Sequence, residues 1–205
     1  MISEQKGVVR IFLTGFSGVG KSTILRETLT PYAGSVAGFA AQRLTGNSES
    51  ERVGFRAVTL EGRFPSMQAR YRPGMGGVFM LHSQRNTAAL ESVILEVESR
   101  IQSHDVKLVL LDEIGGIELT SKVFMGTLER IFSSGTPCFG VFKSKGNLER
   151  TARTFGLNDE LYALHAQLKT RILTGGEIIT VTEENRARVL DHLKVAAEKI
   201  IYSER

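Results

Sequence analysis

The chain of 205 residues has only one cysteine, Cys138, so no disulfide can form within it. Cys138 lies in the apolar run PCFGVF, which predicts a buried thiol, and such sparing use of cysteine fits a reducing cytoplasm. Long apolar runs are also missing: none approaches the ~18 residues that span a bilayer, so we expect no membrane partner. The first residues, MISEQKGVVRIFL, are interrupted by Arg10 and lack a small-residue cleavage site, and they do not predict a signal peptide.

Paired metal-ligand spacings are absent too, because the four histidines stand singly along the chain, and we expect no zinc site. The formal net charge of +4 is mild, and only the stretch 52–72 gathers arginine. This stretch is either the solvated face of a hairpin or a surface that faces an anion. No aromatic stacking motif accompanies it, so nucleic acid is not the expected partner. The arginines are Arg52, Arg56, Arg63, Arg70 and Arg72.

Apolar runs of strand length alternate with segments of helical periodicity along the whole chain. Links of helical length between strands predict crossovers and a mostly parallel sheet with helices on both faces. The length suits one α/β domain over residues 1–205, and the content of 41% hydrophobic and 23% charged residues is that of a globular protein. Strands are predicted at 8–15, 34–42, 51–62, 106–113, 137–142 and 176–182, and helices at 21–32, 86–101, 120–135, 157–172 and 184–200.

The segment GFSGVGKS after the first predicted strand matches G-x-x-x-x-G-K-[ST], a phosphate-binding loop. Its glycines let successive N–H groups point into one concavity, and the following helix turns its positive end towards the same place. Lys21 can reach the β- and γ-phosphates, the Ser22 hydroxyl can bind magnesium, and Thr23 can contact a phosphate nearer the sugar. The loop therefore predicts a bound nucleoside triphosphate. The predicted nucleotide-binding residues are Gly15, Phe16, Ser17, Gly18, Val19, Gly20, Lys21, Ser22 and Thr23.

An acidic pair, Asp112 and Glu113, ends the apolar run KLVLLDE. The carboxyl ends of parallel strands meet at one edge of a sheet, where the phosphate-binding loop also lies. Asp112 suits the role of holding Mg²⁺ together with Ser22, and Glu113 suits a general base that deprotonates an attacking water. The pair therefore predicts hydrolysis of the γ-phosphate, with Lys21 and Glu113 as the catalytic residues.

The stretch LVLLDEIGGIELTSKVF, residues 108–124, resembles the signature of a small nucleoside-triphosphatase family. That family, which in animals includes the cancer-related nucleoside-triphosphatase, shows a hydrophobic strand, Asp-Glu-Ile-Gly, two residues and Glu-Leu. The segments GFSGVGKST, GFAAQRLTGNSESERVGFRAVTLEG and VTEENRARVLDHL agree in the same order. The resemblance implies a RecA-like P-loop fold and slow, magnesium-dependent hydrolysis of nucleoside triphosphates with broad base preference. It makes Glu113 the catalytic base and gives Glu118 a supporting role; a solvated or helix-capping carboxylate is the alternative for Glu118.

The chain departs from that family pattern. Gly116 and Ile117 stand where the family carries lysine and methionine, so the charge of that lysine is missing. Residues 40–42 replace the usual threonine and glutamate after the first Gly-Phe pair, and Arg43 next to them could reach the γ-phosphate instead. The segment 145–172 is longer than the family's usual link between the last two strands and predicts a helical lid or insertion.

Three further residues are candidates for contact with the base or the phosphates. Asn185 and Arg186 follow the last predicted strand, where the base often sits in phosphate-loop folds, or they form the first turn of a helix. Lys143 ends the run CFGVFK and lies either at the same rim or in solvent.

Two alternative functions remain open beside hydrolysis. In a small nucleotide or nucleoside kinase, Arg150, Arg153 and Arg171 of the 145–172 segment would neutralise the transferring phosphoryl group. In a nucleotide-dependent RNA-associated switch, the arginines of stretch 52–72 would carry the binding. The acidic pair favours hydrolysis, because a hydrolase needs a base aimed at water. We expect a monomer with a nucleoside triphosphate as its partner and Mg²⁺ as its cofactor.

Overall fold

The computed structural model describes residues 9–102, 106–156 and 159–203, with the side chains of residues 154 and 155 left out. The expected lack of a signal peptide, His104 and the start of the helix predicted at 157 fall outside these residues. Within the described ranges, nine strands form one sheet in the order β6-β5-β3-β2-β7-β8-β1-β9, and β4 pairs with β2. The strands are β1 (Arg10–Thr14), β2 (Val36–Thr45), β3 (Arg52–Thr59), β4 (Gln68–Arg70), β5 (Val78–Leu81), β6 (Gln84–Arg85), β7 (Leu108–Ile114), β8 (Cys138–Phe142) and β9 (Gly176–Thr180).

In the part of the chain that the structure describes, six α-helices accompany the sheet, and two 3₁₀ turns lie at Thr30–Ser35 and Ile117–Thr120. Among the helices of the described residues, none combines the length and the apolar character that a bilayer crossing requires. The helices are α1 (Lys21–Leu29), α2 (Thr87–Ile101), α3 (Lys122–Ser133), α4 (Lys145–Phe155), α5 (Asp159–Leu173) and α6 (Arg186–Tyr202).

The sheet is covered on both faces because its inner strands contain uninterrupted apolar runs. In β7, Val109 and Leu111 pack into a core formed with α2, α3, α4 and α5, whereas Leu108 and Leu110 pack into a second core with α1 and α6. Successive side chains of a strand point to opposite faces, so an uninterrupted apolar run can fill both cores. Cys138 is fully buried, as its surroundings predict.

Strands β2, β7, β8, β1 and β9 run parallel, and β8 lies between β1 and β7. This arrangement confirms the expected α/β class with a mostly parallel sheet and helices on both faces. Its consequence is that the loop after β1, the acidic end of β7 and the residue after β8 share one edge of the sheet.

An antiparallel extension continues the sheet beyond β2. The β2–β3 hairpin is confirmed, whereas β4, β5 and β6 were not predicted. These strands have three, four and two residues, too few for a periodic signal, and they are held by distant partners. For example, Phe55 of β3 lies opposite Met80 of β5.

The segment expected as a lid or insertion, 145–172, folds as two helices, of which only α5 was predicted. α4 begins at a cap in which Ser144 Oγ accepts a hydrogen bond from the Asn147 amide at 3.4 Å. Leu148 of α4 and Leu168 of α5 are both buried in the first core. These helices therefore form part of the layer that covers one face of the sheet.

Candidate functional site

The glycine-rich loop runs from the end of β1 to the start of α1, and two of its glycines are required by close contacts. Gly15 has a φ of 132°, and a Cβ there would lie 2.6 Å from the Val181 carbonyl oxygen. Gly20 has a φ of 95°, and a Cβ there would lie 2.7 Å from Nη2 of Arg186. A side chain at either position would be strained by the positive φ, and at Gly15 it would also clash with the backbone, whereas the Arg186 side chain over Gly20 can move aside. The loop therefore keeps its shape only with glycine at both ends.

Lys21, the first residue of α1, points back into the curve of the loop. Its Nζ donates hydrogen bonds to the carbonyl oxygens of Gly15 at 3.0 Å and Phe16 at 2.7 Å. Burial lowers the pKa of Lys21, while the nearby carboxylates of Glu113 and Asp112 act in the opposite direction. The ammonium group thus lies in the loop's concavity, where an anion would be bound.

Asp112 connects three elements at the edge of the sheet. Its Oδ1 accepts a hydrogen bond from Ser22 Oγ at 3.0 Å, and its Oδ2 accepts one from the Ala41 amide at 3.2 Å. Burial, followed by the charge of Glu113, raises the pKa of Asp112 to about 7, and the two hydrogen bonds and Lys21 oppose this rise. Asp112 therefore occupies a position where its charged form needs a nearby cation.

The oxygen atoms around Asp112 fit a magnesium ion. Mg²⁺ prefers hard oxygen ligands and is usually held by one or two protein groups together with substrate phosphates. The Ser22 hydroxyl and the Asp112 carboxylate supply such oxygens side by side. Among the described residues, no cationic side chain forms an ion pair with the Asp112 carboxylate, although it is only 4% exposed.

Glu113 stands in a backbone conformation that non-glycine residues rarely adopt. Its φ is 67°, while the flanking residues Asp112 and Ile114 continue β7. A left-handed conformation costs a non-glycine residue about 1–2 kcal/mol, and such strain often marks a functional position. The unusual backbone lets Glu113 line the same cavity as Asp112, although adjacent residues of a regular strand point to opposite faces.

Glu118 holds the turn that follows Glu113. Its Oε1 accepts hydrogen bonds from the amides of Gly115 and Gly116, the latter at 2.7 Å. Burial raises the pKa of Glu118, and the charge of Lys143 and these amide hydrogen bonds oppose the rise. Glu118 is 5% exposed, so the carboxylate is a buried acceptor for two backbone donors rather than a solvated group.

Lys143 follows β8 and reaches the same turn. A Cβ on Gly116 would lie 2.7 Å from Lys143 Nζ, so the ammonium group occupies the space in front of this glycine. The lysine charge that the sequence lacks at position 116 is therefore matched in space by Lys143. The Lys143 carbonyl accepts a hydrogen bond from His165 Nε2 at 2.9 Å, and the His165 ring stacks on Phe142 with 4.4 Å between centroids.

A cavity of about 300 Å³ opens beside these groups. Its lining includes Ser17 of the loop and the two carboxylates Asp112 and Glu113. It also includes aromatic side chains of the antiparallel extension, Phe55 and Phe79. The cavity therefore joins the phosphate-binding loop to an apolar compartment.

The remaining predicted contacts lie in different places. Arg186 lies over Gly20 of the loop. The Asn185 side chain makes hydrogen bonds within the turn that precedes α6. Its Oδ1 accepts a hydrogen bond from the Thr182 amide at 2.8 Å, and its Nδ2 donates one to the Thr180 carbonyl at 2.9 Å. Arg43 is exposed on β2, two residues beyond Ala41.

The three arginines that a kinase would use for the phosphoryl group also lie in different places. Arg150 lines the cavity, whereas Arg171 forms an ion pair with Glu129 of α3 at 3.0 Å. Arg153 is exposed on α4. Of the three, only Arg150 is a lining residue of the cavity beside Glu113.

Sequence reasoning missed Arg26 and the Ala41 amide. Arg26 lies one helical turn after Ser22, donates to the Pro65 carbonyl and lies over the Phe64 ring. Burial lowers the pKa of Arg26, and the charge of Asp112 opposes this shift. The four-residue spacing from Ser22 could have placed Arg26 on the same face of α1. A backbone amide leaves no signal in the sequence.

Comparisons with known proteins agree with this geometry. The model of the NTPase family matches residues 10–194. Nucleoside-triphosphatase THEP1 of Methanocaldococcus jannaschii is 25% identical over 193 residues, which cover 90% of this chain and 95% of that protein. The cancer-related nucleoside-triphosphatase homolog of Mus musculus is 29% identical over 133 residues, covering 60% of this chain and 69% of that protein.

A solved structure shows the fold independently. The crystal structure of THEP1 from Aquifex aeolicus superposes with a TM-score of 0.59 at 22% identity, covering 92% of this chain and 99% of that one. The expected P-loop fold and the resemblance noted in the sequence are thus confirmed. The match of the family model over most of the chain, together with the relatives of nearly equal length, shows that this protein belongs to the NTPase family.

Proposed function

We propose that this protein is a magnesium-dependent nucleoside-triphosphatase that hydrolyses ATP, GTP and related triphosphates to the diphosphate and phosphate. The observation that carries the proposal is the convergence of three groups at one sheet edge. Lys21 lies in the loop's concavity, Ser22 is hydrogen-bonded to Asp112, and the strained Glu113 lies next to them. The names of the relatives point to the same activity.

The loop would bind the triphosphate. The N–H groups of residues 15–20 and the start of α1 face the phosphates, and Lys21 exchanges its two loop carbonyls for phosphate oxygens. Thr23, which is exposed on the first turn of α1, contacts an oxygen nearer the sugar. Arg186, which lies over Gly20, contacts the nucleotide from the other side of the loop.

Ser22 and Asp112 would hold Mg²⁺, which, when bound, neutralises charge on the β- and γ-phosphates. Asp112 binds in its charged form, so its proton leaves as the ion arrives. The Ala41 amide holds the second carboxylate oxygen and keeps Asp112 oriented.

Glu113 would act as the general base. Its carboxylate takes a proton from water, the water oxygen forms a bond to the γ-phosphorus, and the bond to the β,γ-bridging oxygen breaks. The diphosphate leaves with the electron pair of that bond. Glu118 supports this step by fixing the turn after Glu113.

The test is release of phosphate from ATP and GTP with Mg²⁺ and no other acceptor. Lys21→Ala should abolish productive nucleotide binding, and Glu113→Gln should keep binding but slow turnover by roughly 10²-fold or more, the usual size of a general-base contribution. Lys194→Ala and Glu177→Gln are matched controls, because both side chains form exposed ion pairs away from the loop. Turnover by Glu113→Gln at the parental rate would contradict the role of the base.

A further inference from the structure

The cavity beside Glu113 is lined by more than the groups that the proposed hydrolysis uses. It measures about 300 Å³, and pockets that hold small organic molecules begin at about this size. Besides Asp112 and Glu113, its lining includes apolar side chains that have no part in the proposed hydrolysis, among them Phe39, Leu90 and Ile117.

Aromatic side chains in the cavity wall offer a surface on which a flat ring can stack. Phe55 and Phe79 are stacked, with 6.3 Å between ring centroids and 18° between ring planes. The Arg52 guanidinium lies 5.7 Å from the Phe55 centroid on the same wall. Stacked aromatic rings with an arginine beside them bind nucleobases, because every base offers a π-face.

The charges of the wall balance. Three carboxylates, those of Asp112, Glu113 and Glu118, and three cations line the cavity, so the side chains of its wall give no large excess of either charge and suit a neutral ligand beside the nucleotide. Near the catalytic end, within the described part of the chain, the Lys143 ammonium makes no hydrogen bond and is available for a ligand hydroxyl. The cations are Arg52, Lys143 and Arg150.

We propose that this cavity binds a nucleoside, whose primary hydroxyl replaces water as the acceptor of the γ-phosphoryl group. The inference rests on the proposed function, since it uses the same loop and the same base. The hydroxyl oxygen forms a bond to the γ-phosphorus and its proton passes to Glu113. The bond between the γ-phosphorus and the bridging oxygen breaks, so the products are a nucleoside monophosphate and a nucleoside diphosphate.

The experiment incubates the full chain with γ-labelled ATP, Mg²⁺ and, separately, adenosine, guanosine, cytidine or uridine. Labelled nucleoside monophosphate and free phosphate are measured in the same sample. We expect at least one nucleoside to yield its monophosphate while phosphate release falls. If none of the four does so, the proposal is wrong.

Variants test the location. Phe79→Ala removes half of the stacked pair and should lower the ratio of transfer to hydrolysis roughly tenfold, the size of one base-stacking contact. The control Tyr32→Ala truncates another aromatic pair, that of Tyr32 with the exposed Tyr202, neither of which lines the cavity, and it should leave both rates unchanged. An unchanged ratio in Phe79→Ala would overturn the assignment of the cavity.

A second variant distinguishes loss of the nucleoside site from loss of folding. Thr151→Phe fills the cavity from α4 without removing an aromatic side chain, and it should lower the same ratio. Equal transfer by this variant and the parent would overturn the proposal. Phosphate release without any nucleoside reports on the proposed function alone, so a triphosphatase that never phosphorylates a nucleoside refutes only the present inference.

Discussion

Ser22 Oγ lies 3.0 Å from Asp112 Oδ1, although the two residues are 90 positions apart in the chain. The hydrogen bond joins the first turn of α1 to the end of β7 across the intervening strand β8. Because Asp112 is almost fully buried, this contact gives the two oxygens that we propose as magnesium ligands a defined separation before any ligand arrives. The first prediction follows from this pair.

Ser22→Ala should raise the Mg²⁺ concentration needed for half-maximal hydrolysis by about tenfold or more. The change removes one oxygen ligand and leaves Asp112 with only the Ala41 amide to orient it. Titration of activity with Mg²⁺ measures the effect. Ser92→Ala, which removes an exposed helical hydroxyl bonded to the Ala88 carbonyl, is the control. Equal Mg²⁺ dependence of the two variants would contradict the assignment of Ser22.

Glu113→Gly should stabilise the nucleotide-free protein while abolishing hydrolysis. Glycine accepts a φ of 67° without steric cost, so relief of strain is on the order of 1 kcal/mol, offset in part by the greater freedom of glycine in the unfolded chain. Glu113→Gln is the matched variant, because it loses the base and keeps the strain. Urea denaturation of both variants checks the prediction, and lower stability of the glycine variant would refute it.

The stability of the protein without nucleotide and metal should depend on the protonation of Asp112. Burial raises the pKa of Asp112 from 3.8 to about 7. At a pH between these two values, Asp112 keeps its proton in the folded state and has lost it in the unfolded state. The stabilisation is fully present below about pH 4 and is lost as pH rises through 7. Asp112→Asn has no such proton, and its stability relative to the parent should increase with pH by at most about 1.4 kcal/mol per unit.

Denaturation midpoints of Asp112→Asn and the parent between pH 4 and 8 measure this difference. The comparison cancels the titrating groups that do not interact with Asp112, because they are common to both proteins. A difference that stays constant over this range would show that Asp112 does not titrate in it.

Glu118→Ala should lower kcat with little change in KM for ATP, and it should reduce the free energy of unfolding by about 1–3 kcal/mol. The amides of Gly115 and Gly116 would lose their buried acceptor, and the turn after Glu113 would lose its support. Glu118→Gln keeps an acceptor oxygen and should restore most of both quantities. If glutamine is as harmful as alanine, the negative charge is the essential feature and the hydrogen bonds are secondary. Steady-state kinetics and urea denaturation provide the readouts.

Many elements could be read from the sequence because their signals are local. The apolar run of β7 and the helical periodicity of α2 predict these elements within a few residues of their observed bounds. The hairpin partner β5 and the separate helix α4 were missed, since a strand of four residues depends on its neighbours and α4 carries few apolar residues besides Leu148 and Ala152. The roles assigned to Glu113 and Asp112 remain predictions that the experiments above examine.

By itself, the sequence determined the phosphate-binding loop, because its glycines, lysine and serine are contiguous and each acts through its own backbone or one side chain. The acidic pair at the end of a buried strand was determined in the same way. Only the tertiary structure decided which distant groups meet. It brings Lys143 into the space before Gly116, directs Arg171 to Glu129, and opens a cavity between Glu113 and the Phe55–Phe79 pair. These contacts arise from strand order and helix packing, which bring together residues that have no pattern in common along the chain.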